Sequence, residues 1–401
     1  MTRLRICTNI TIAGLPVNSA SSRWKRAQHG ARRAHVGKLC PTSHPCGRNG
    51  THGLARSALT RQRSLRMKIC VVGAGAIGGL IAARLSASGN DVHVVARGAT
   101  LAAIRDNGLT VTFADGSPTI RAVVSAAETF VVKGSAADAN FDAVILAVKA
   151  HQIAGLAEQV SAMCGPDTVV VPVQNGIPWW FFERFNGPHA GYNLRTLDPD
   201  ARIATAIPAD RVVAGIAYPA AERTAPNVIH HVEGDRLPVG ELDGSKSDRA
   251  SAIARAFSAA GFKSRVLTDI RSHLWIKAWG NLAFNPISAL TGATLGQICG
   301  DPITRQLAAD MMHEATAIAE ALDLRVLLTV EQRINGAEQI GDHKTSMLQD
   351  REEGRSMEVG PLIGAFVELG RLTGVHTPAI DAVYALISQL NERLDQARRP
   401  R

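Results

Sequence analysis

Not one aspartate or glutamate occurs in the first 66 residues, which carry 13 lysines and arginines. The 401-residue chain has a net charge of +9, so with +13 in that leader the remainder, residues 67–401, stands at −4. A mildly acidic body excludes a broad phosphate-binding face, and no nucleic-acid partner is expected. The leader is rich in arginine, serine, glycine and histidine and has no sustained apolar periodicity. It reads as upstream sequence translated through a mis-called start, with Met67 opening the first strand. An organelle-targeting peptide and a functional basic arm are the alternatives.

Cysteine is scarce as well. Cys7, Cys40 and Cys46 lie in the leader, and Cys70, Cys164 and Cys299 lie far apart in the body. With no CxxC and no Cys/His ligand spacing, neither a disulfide framework nor a metal site is expected, and a reducing, cytoplasmic compartment follows. Asn9-Ile10-Thr11 and Asn49-Gly50-Thr51 fit the glycosylation pattern by chance, since no secretory signal accompanies them. Long apolar runs are missing too: the longest uncharged one, residues 69–83, is shorter than a membrane span and studded with glycine. No membrane partner is expected.

What is present, from Met67 onward, is an alternation of short apolar runs with helical stretches. That pattern predicts an α/β fold: a Rossmann-type, doubly wound parallel-sheet domain (67–268), then an all-α C-terminal domain (269–401). Strands are expected at 68–72, 92–96, 143–148, 168–173 and 212–217, with an edge hairpin of 228–232 and 236–240 and a last strand near 263–267. Helices are expected at 271–284, 302–322, 362–373 and 379–394. The last carries Ile380, Val383, Ile387, Leu390 and Leu394 at helical spacing, which marks a core face. Residues 178–200, rich in Trp, Phe, Asn, Gly and Pro, read as a long surface insertion.

The strongest motif is Gly73-Ala74-Gly75-Ala76-Ile77-Gly78, directly after the first apolar strand and at the start of a helical run. The first glycine makes the tight turn, the second lets backbone approach a pyrophosphate, and the third lets helix pack on strand. The alternative is a glycine-rich turn without a ligand. The second strand then selects the nucleotide. No acid occurs between Asp91 and Asp106, and the strand runs out at Arg97. A carboxylate there would accept ribose hydroxyls, whereas a guanidinium binds a 2′-phosphate in a forked, charge-assisted geometry, so NADPH/NADP+ is the expected cofactor. Lys149 and Asn175 also stand just beyond strand ends, where open parallel sheets bind ligands, and all four should converge on one crevice.

A second constellation opens the helical half: Lys277, Asn281 and Asn285, four apart and therefore stacked on one helix face among apolar neighbours. They form either a ligand-binding set or a buried structural ladder. Hydride transfer to a 2-oxo acid builds negative charge on the carbonyl oxygen. Lys277 suits the general acid, its ordinary pKa of about 10.4 keeping it protonated at neutral pH. The amides of Asn281 and Asn285 can orient substrate hydroxyl and carbonyl groups. Pro286 is expected to disturb the helix and free carbonyls beside the pocket. Ser346 is either a donor to a substrate carboxylate or a helix cap, and Glu358 either an anchor for Lys277 or a substrate hydroxyl, or a solvated acid.

Taken in order, Gly73-x-Gly75-x-x-Gly78, Lys149, Asn175-Gly176, Lys277-x-x-x-Asn281-x-x-x-Asn285-Pro286, Ser346-Met347-Leu348-Gln349-Asp350 and Glu358 resemble the 2-dehydropantoate 2-reductase (ketopantoate reductase) family from Met67 to about Leu390. The resemblance implies NADPH-dependent reduction of 2-dehydropantoate to (R)-pantoate in pantothenate biosynthesis. It also implies Lys277 as catalytic acid and Asn281, Asn285 and Ser346 as substrate ligands. Lys149, Asn175 and Glu358 correspond to its cofactor contacts, Arg97 to its 2′-phosphate arginine and Ala221 to a backbone cofactor contact. The chain departs from the family in its leader, in the length of 178–200, and in having no asparagine within 290–296, where some members carry a further substrate ligand. A paralogous 2-oxo acid or hydroxyacid dehydrogenase and a non-catalytic NADPH sensor are the rival readings. Monomer and homodimer are both compatible with the sequence.

Overall fold

The computed structural model describes residues 66–130 and 140–398; the leader before residue 66 lies outside them. Its eleven described strands are β1 Lys68–Val72, β2 Asp91–Val95, β3 Leu109–Phe113, β4 Ile120–Ala122, β5 Ser125–Ala127, β6 Ala143–Leu146, β7 Val169–Pro172, β8 Val213–Gly215, β9 Ala220–Ala225, β10 Val228–Glu233 and β11 Val239–Glu241. Helices α1 Ala76–Ala87, α2 Gly98–Asn107, α3 Ala150–Ile153, α4 Ala157–Ala162, α5 Arg202–Ala206 and α6 Asp248–Ala259 accompany them. From residue 270 onward the described chain is helical: α7 Ile270–Thr291, α8 Leu295–Gly300, α9 Pro302–Ala321, α10 Val330–Glu338, α11 Ser346–Glu352, a π-helical turn Gly360–Gly364, α12 Ala365–Thr373 and α13 Pro378–Arg398.

The main sheet is wholly parallel, in the order β5-β2-β1-β6-β7. Its inner strands β1 and β6, and β7, are apolar on both faces from Ile69 onward because both faces are covered. On β1, Cys70 and Val72 point into the core shared with the helical half. Ile69 and Val71 face the other way, toward α1 and the smaller sheet β4-β3-β10-β9. β1 has β2, the strand that follows it, on one side and β6, reached only after β5, on the other, so the crevice beyond the carboxyl end of β1 is the topological switch point.

Three expectations about the elements are corrected. Residues 228–232 do not pair with 236–240. β10 runs antiparallel to β9 across a Pro226-Asn227 turn and parallel to β3, while β11 pairs with β8. β9 escaped notice because Ala-Ala-Glu-Arg-Thr-Ala lies at a solvated edge and has no apolar alternation. The strand near 263–267 is reduced to two isolated bridges, at Lys263 and Val266. Helix α7 is not interrupted at Pro286 but continues to Thr291, where Gly292 at φ +78° caps it. Proline removes one donor, and burial of Phe284 through Ala289 on all sides holds the backbone helical regardless.

Residues 178–200 are a surface segment only in their second half, and their first five residues lie in the core. Trp179, Trp180, Phe181, Phe182 and Leu194 are all buried. The Phe181 ring meets that of Phe182 edge-on at 5.1 Å and lies tilted against Trp275, whose indole meets Phe366 at 5.0 Å. Irregular backbone in a core needs donors. Arg271, buried at the start of α7, donates from Nε to the Phe181 carbonyl at 2.7 Å, and from its two Nη atoms to the carbonyls of Leu242 and Glu183.

Candidate active site

Gly73 directly follows β1 at φ +101°, a backbone region that favours glycine, and a Cβ there would press on Val148 at 2.6 Å. A Cβ on Gly78 would overlap the Gly73 carbonyl, which fixes the close approach of α1 to the turn. Gly75 is different: nothing stands within 4 Å of the position its Cβ would take. It precedes α1, whose first turn has no side-chain cap. An open cradle facing uncapped N–H groups suits a pyrophosphate, so the residues present fit a dinucleotide.

The other candidates follow the neighbouring strands. Arg97 stands just beyond β2, at the N-cap of α2; it is exposed, and its side chain bonds to no other described residue. Arg223 of β9 donates to Thr100 Oγ1 at 3.1 Å and so brings a second guanidinium to the start of α2. No local pattern pointed to it, because the contact spans 123 positions. Ala221 stands half-buried on β9, opposite His231 in the smaller sheet.

Beyond β6, Lys149 is paired with Asp350 at 2.7 Å and donates to the Ser356 carbonyl at 2.8 Å. The backbone N–H of Ala150 donates to Glu358 Oε1 at 2.9 Å. These bonds tie the α3 end of the sheet half to α11 and the segment before the π-helical turn. Gly176, at φ +81°, lies so close to the Pro361 carbonyl that a Cβ would overlap it, and the Ile177 N–H donates to that same oxygen at 2.9 Å.

Lys277 reaches this crevice from the helical half. Its Nζ donates to Asn175 Oδ1 at 2.7 Å and to the Ala217 carbonyl, and lies 5.8 Å from the Tyr218 ring. Burial of the amine pushes its pKa down to about 8, opposed in part by the charge of Glu358, and so corrects the ordinary value expected from sequence. Burial likewise raises the Glu358 carboxyl, against the Ala150 N–H bond and the nearby Lys149 and Lys277 charges. Glu358 does not anchor Lys277 directly: its hydrogen bond goes to Ala150, and the two act on each other through charge.

Asn281 and Asn285 lie one and two turns along the same face of α7, and neither side chain bonds to a described residue. Asn281 is half-buried and Asn285 buried, and no hydrogen bond joins them into a ladder among the described residues. Ser346 is exposed at the first position of α11, and the cap of that helix is Thr345, whose hydroxyl accepts from the Leu348 N–H. The hydroxyl of Ser346 is thus free of the capping role. Among the described residues no cluster of His, Cys, Asp and Glu is arranged to hold a metal, and no helix is long and apolar enough to cross a membrane.

The family model "Ketopantoate reductase PanE/ApbA" matches residues 69–244, and its C-terminal counterpart matches 269–391. The chain belongs to the ketopantoate reductase family. A 2-dehydropantoate 2-reductase of Mesorhizobium japonicum is 47% identical over 325 residues, 81% of this chain and 98% of that one. The crystal structure of 2-dehydropantoate 2-reductase from Methylococcus capsulatus superposes with a TM-score of 0.68 at 29% identity, over 81% of this chain and 97% of that one. A ternary structure of D-mandelate dehydrogenase with NADH and anilino(oxo)acetate shares the fold, with a TM-score of 0.69 at 22% identity over 82% and 100% of the two chains. Ketopantoate reductases are nicotinamide-dinucleotide oxidoreductases, and the glycine cradle and parallel sheet described above belong to that architecture.

Proposed function

We propose that the protein reduces 2-dehydropantoate to (R)-pantoate with NADPH, with Lys277 as the proton donor. The observation that carries this reading is the Lys277 amine bonded to Asn175 beyond the carboxyl end of β7, beside the glycine cradle's sheet edge. Bound nicotinamide supplies a hydride to the keto carbon. Negative charge then gathers on the keto oxygen, and the ammonium of Lys277 stabilises it and releases a proton from Nζ to it. The C=O becomes CH–OH, and the amine, left neutral, takes a proton back from solvent. Asn175 Oδ1 and the Ala217 carbonyl fix the amine's position before substrate arrives.

Asn281 and Asn285 orient the substrate's hydroxyl and carbonyl, and Ser346 donates to its carboxylate. Lys149, Asn175, Glu358 and the backbone at Ala221 contact the nucleotide, and Arg97 takes the 2′-phosphate. The second guanidinium at Arg223 and the lack of any acid between Asp91 and Asp106 favour NADPH over NADH. Residues 67–268 serve as the nucleotide domain and 269–401 as the substrate domain, in a cytoplasmic protein that acts as monomer or homodimer.

The test is a panel of 2-oxo acids assayed by nicotinamide absorbance with NADPH and with NADH. 2-Dehydropantoate with NADPH is expected to give the highest kcat/KM. A higher value for another oxo acid transfers the reading to a paralogous dehydrogenase, and oxidation of NADPH by none of them removes it.

A further inference from the structure

Arg333, on the first turn of α10, is a cation with no anion paired to it among the described residues. Among the described residues its side chain makes no hydrogen bond and no ion pair, although it is half-buried. On its own helix Glu331 stands two residues before it, a spacing that does not face it, and Glu338 is paired with Arg305 at 3.1 Å. The guanidinium lies over the Phe284 ring, its Cζ 5.4 Å from the centroid, and against Gly280, where a Cβ would overlap Nη2. Its charge also reaches Tyr218, whose ring flanks the Lys277 amine, and Cys299. None of its nitrogens is among the sealed, unpartnered atoms, so the fork keeps contact with solvent.

Helical geometry gives that position its meaning. Lys277, Gly280, Asn281 and Phe284 recur at three- and four-residue steps and so share one face of α7. Gly280 follows Lys277 by three residues, about 4.5 Å along the axis. The guanidinium over Gly280 is therefore set about one turn from the residue read as the proton donor. Gly280 is the one position on that face where the absence of a side chain leaves room for it. Leaving a half-buried guanidinium on an aromatic face alone wastes five donors, which a planar carboxylate satisfies two at a time.

We infer that Arg333 binds the carboxylate of the 2-oxo acid substrate, with Gly280 making room for its fork, and thereby restricts the enzyme to acids. This assignment rests on the reading of the cleft as an oxo-acid site. In it Ser346 contributes a neutral hydroxyl to the same group, while Arg333 supplies the charge. Burial already holds the Arg333 pKa below its ordinary value, the direction expected of a cation awaiting an anion.

The experiment compares wild type, Arg333→Met and Gly280→Ala on 2-dehydropantoate and on its neutral lactone. Methionine keeps most of the apolar stem, and Gly280→Ala displaces the fork while leaving Arg333 in place. Either substitution should raise KM for the acid by about a hundredfold, with kcat within about fivefold and NADPH affinity unchanged. KM for the lactone should stay as in wild type, so the preference for the acid collapses; a merely structural arginine would move both substrates together. Unchanged acid-to-lactone selectivity overturns the assignment, and so does a loss of NADPH affinity in its place, which would move the guanidinium to a nucleotide phosphate. If wild type reduces no oxo acid, the proposed function fails by itself. Oxalate binding, read by tryptophan fluorescence, then decides on Arg333 separately: lost in both variants it supports the carboxylate site, and retained in both it refutes it.

Discussion

At the scale of single residues, the three glycines of the first turn do three separable jobs. Gly73 and Gly78 are hemmed in by backbone, whereas the Cβ position of Gly75 opens on empty space at an ordinary φ of −73°. Gly75→Leu should therefore fold normally, with a melting temperature within about 2 °C of wild type, yet weaken NADPH by about a hundredfold. Titration of nucleotide fluorescence checks it, and retained affinity would place the pyrophosphate elsewhere. Lys277 makes a second residue-scale prediction. A lysine acid works only while protonated, and burial brings its pKa to about 8, so kcat/KM should be flat below that pH and fall about tenfold per unit above it. A profile flat to pH 10 would remove the lysine from the proton step. The glycine motif was readable in sequence because its signal is local, strand and turn and helix in one stretch. The lysine's depressed pKa was not, since the groups around its amine, Asn175, Ala217 and Glu358, come from positions 60 to 102 residues away.

At the scale of elements, α7 does more than carry Lys277. Its first turn holds Arg271, whose three carbonyl partners at Phe181, Glu183 and Leu242 seat the aromatic segment against the helix. Arg271→Ala leaves those buried carbonyls without a donor and should cost about 3 kcal/mol, read as a lower urea midpoint. A loss below about 0.5 kcal/mol would mean the segment is solvated, as its composition first suggested. That misreading has a physical cause: Asn, Gly and Pro announce irregular backbone, but Trp179 to Phe182 announce burial, and composition alone does not say which wins. The helix through Pro286 is the same lesson reversed. Local propensity argued for a break, and packing on every side of α7 overrode it. Strands β1, β2, β6 and β7, by contrast, were legible to within a residue or two, because their buried stretches read as apolar runs, whereas β5, a three-residue Ser-Ala-Ala edge strand, offered no such run.

At the scale of the whole molecule, the helical half closes the sheet's ligand edge. Lys149 to Asp350, Ala150 to Glu358, Gly176 against Pro361 and Lys277 to Asn175 all join the carboxyl ends of β6 and β7 to chain beyond residue 270. Neither half alone contains the proposed site: the nucleotide cradle lies in one and the proton donor in the other. The proposed chemistry depends on that meeting of amine and nucleotide edge. Single-turnover oxidation of bound NADPH by 2-dehydropantoate, in wild type and in Lys277→Ala, tests it most directly. With Lys277 as the proton donor, the rate constant falls by about 10²- to 10⁴-fold while the dissociation constant for NADPH stays within about twofold. An unchanged rate constant in the variant would contradict it.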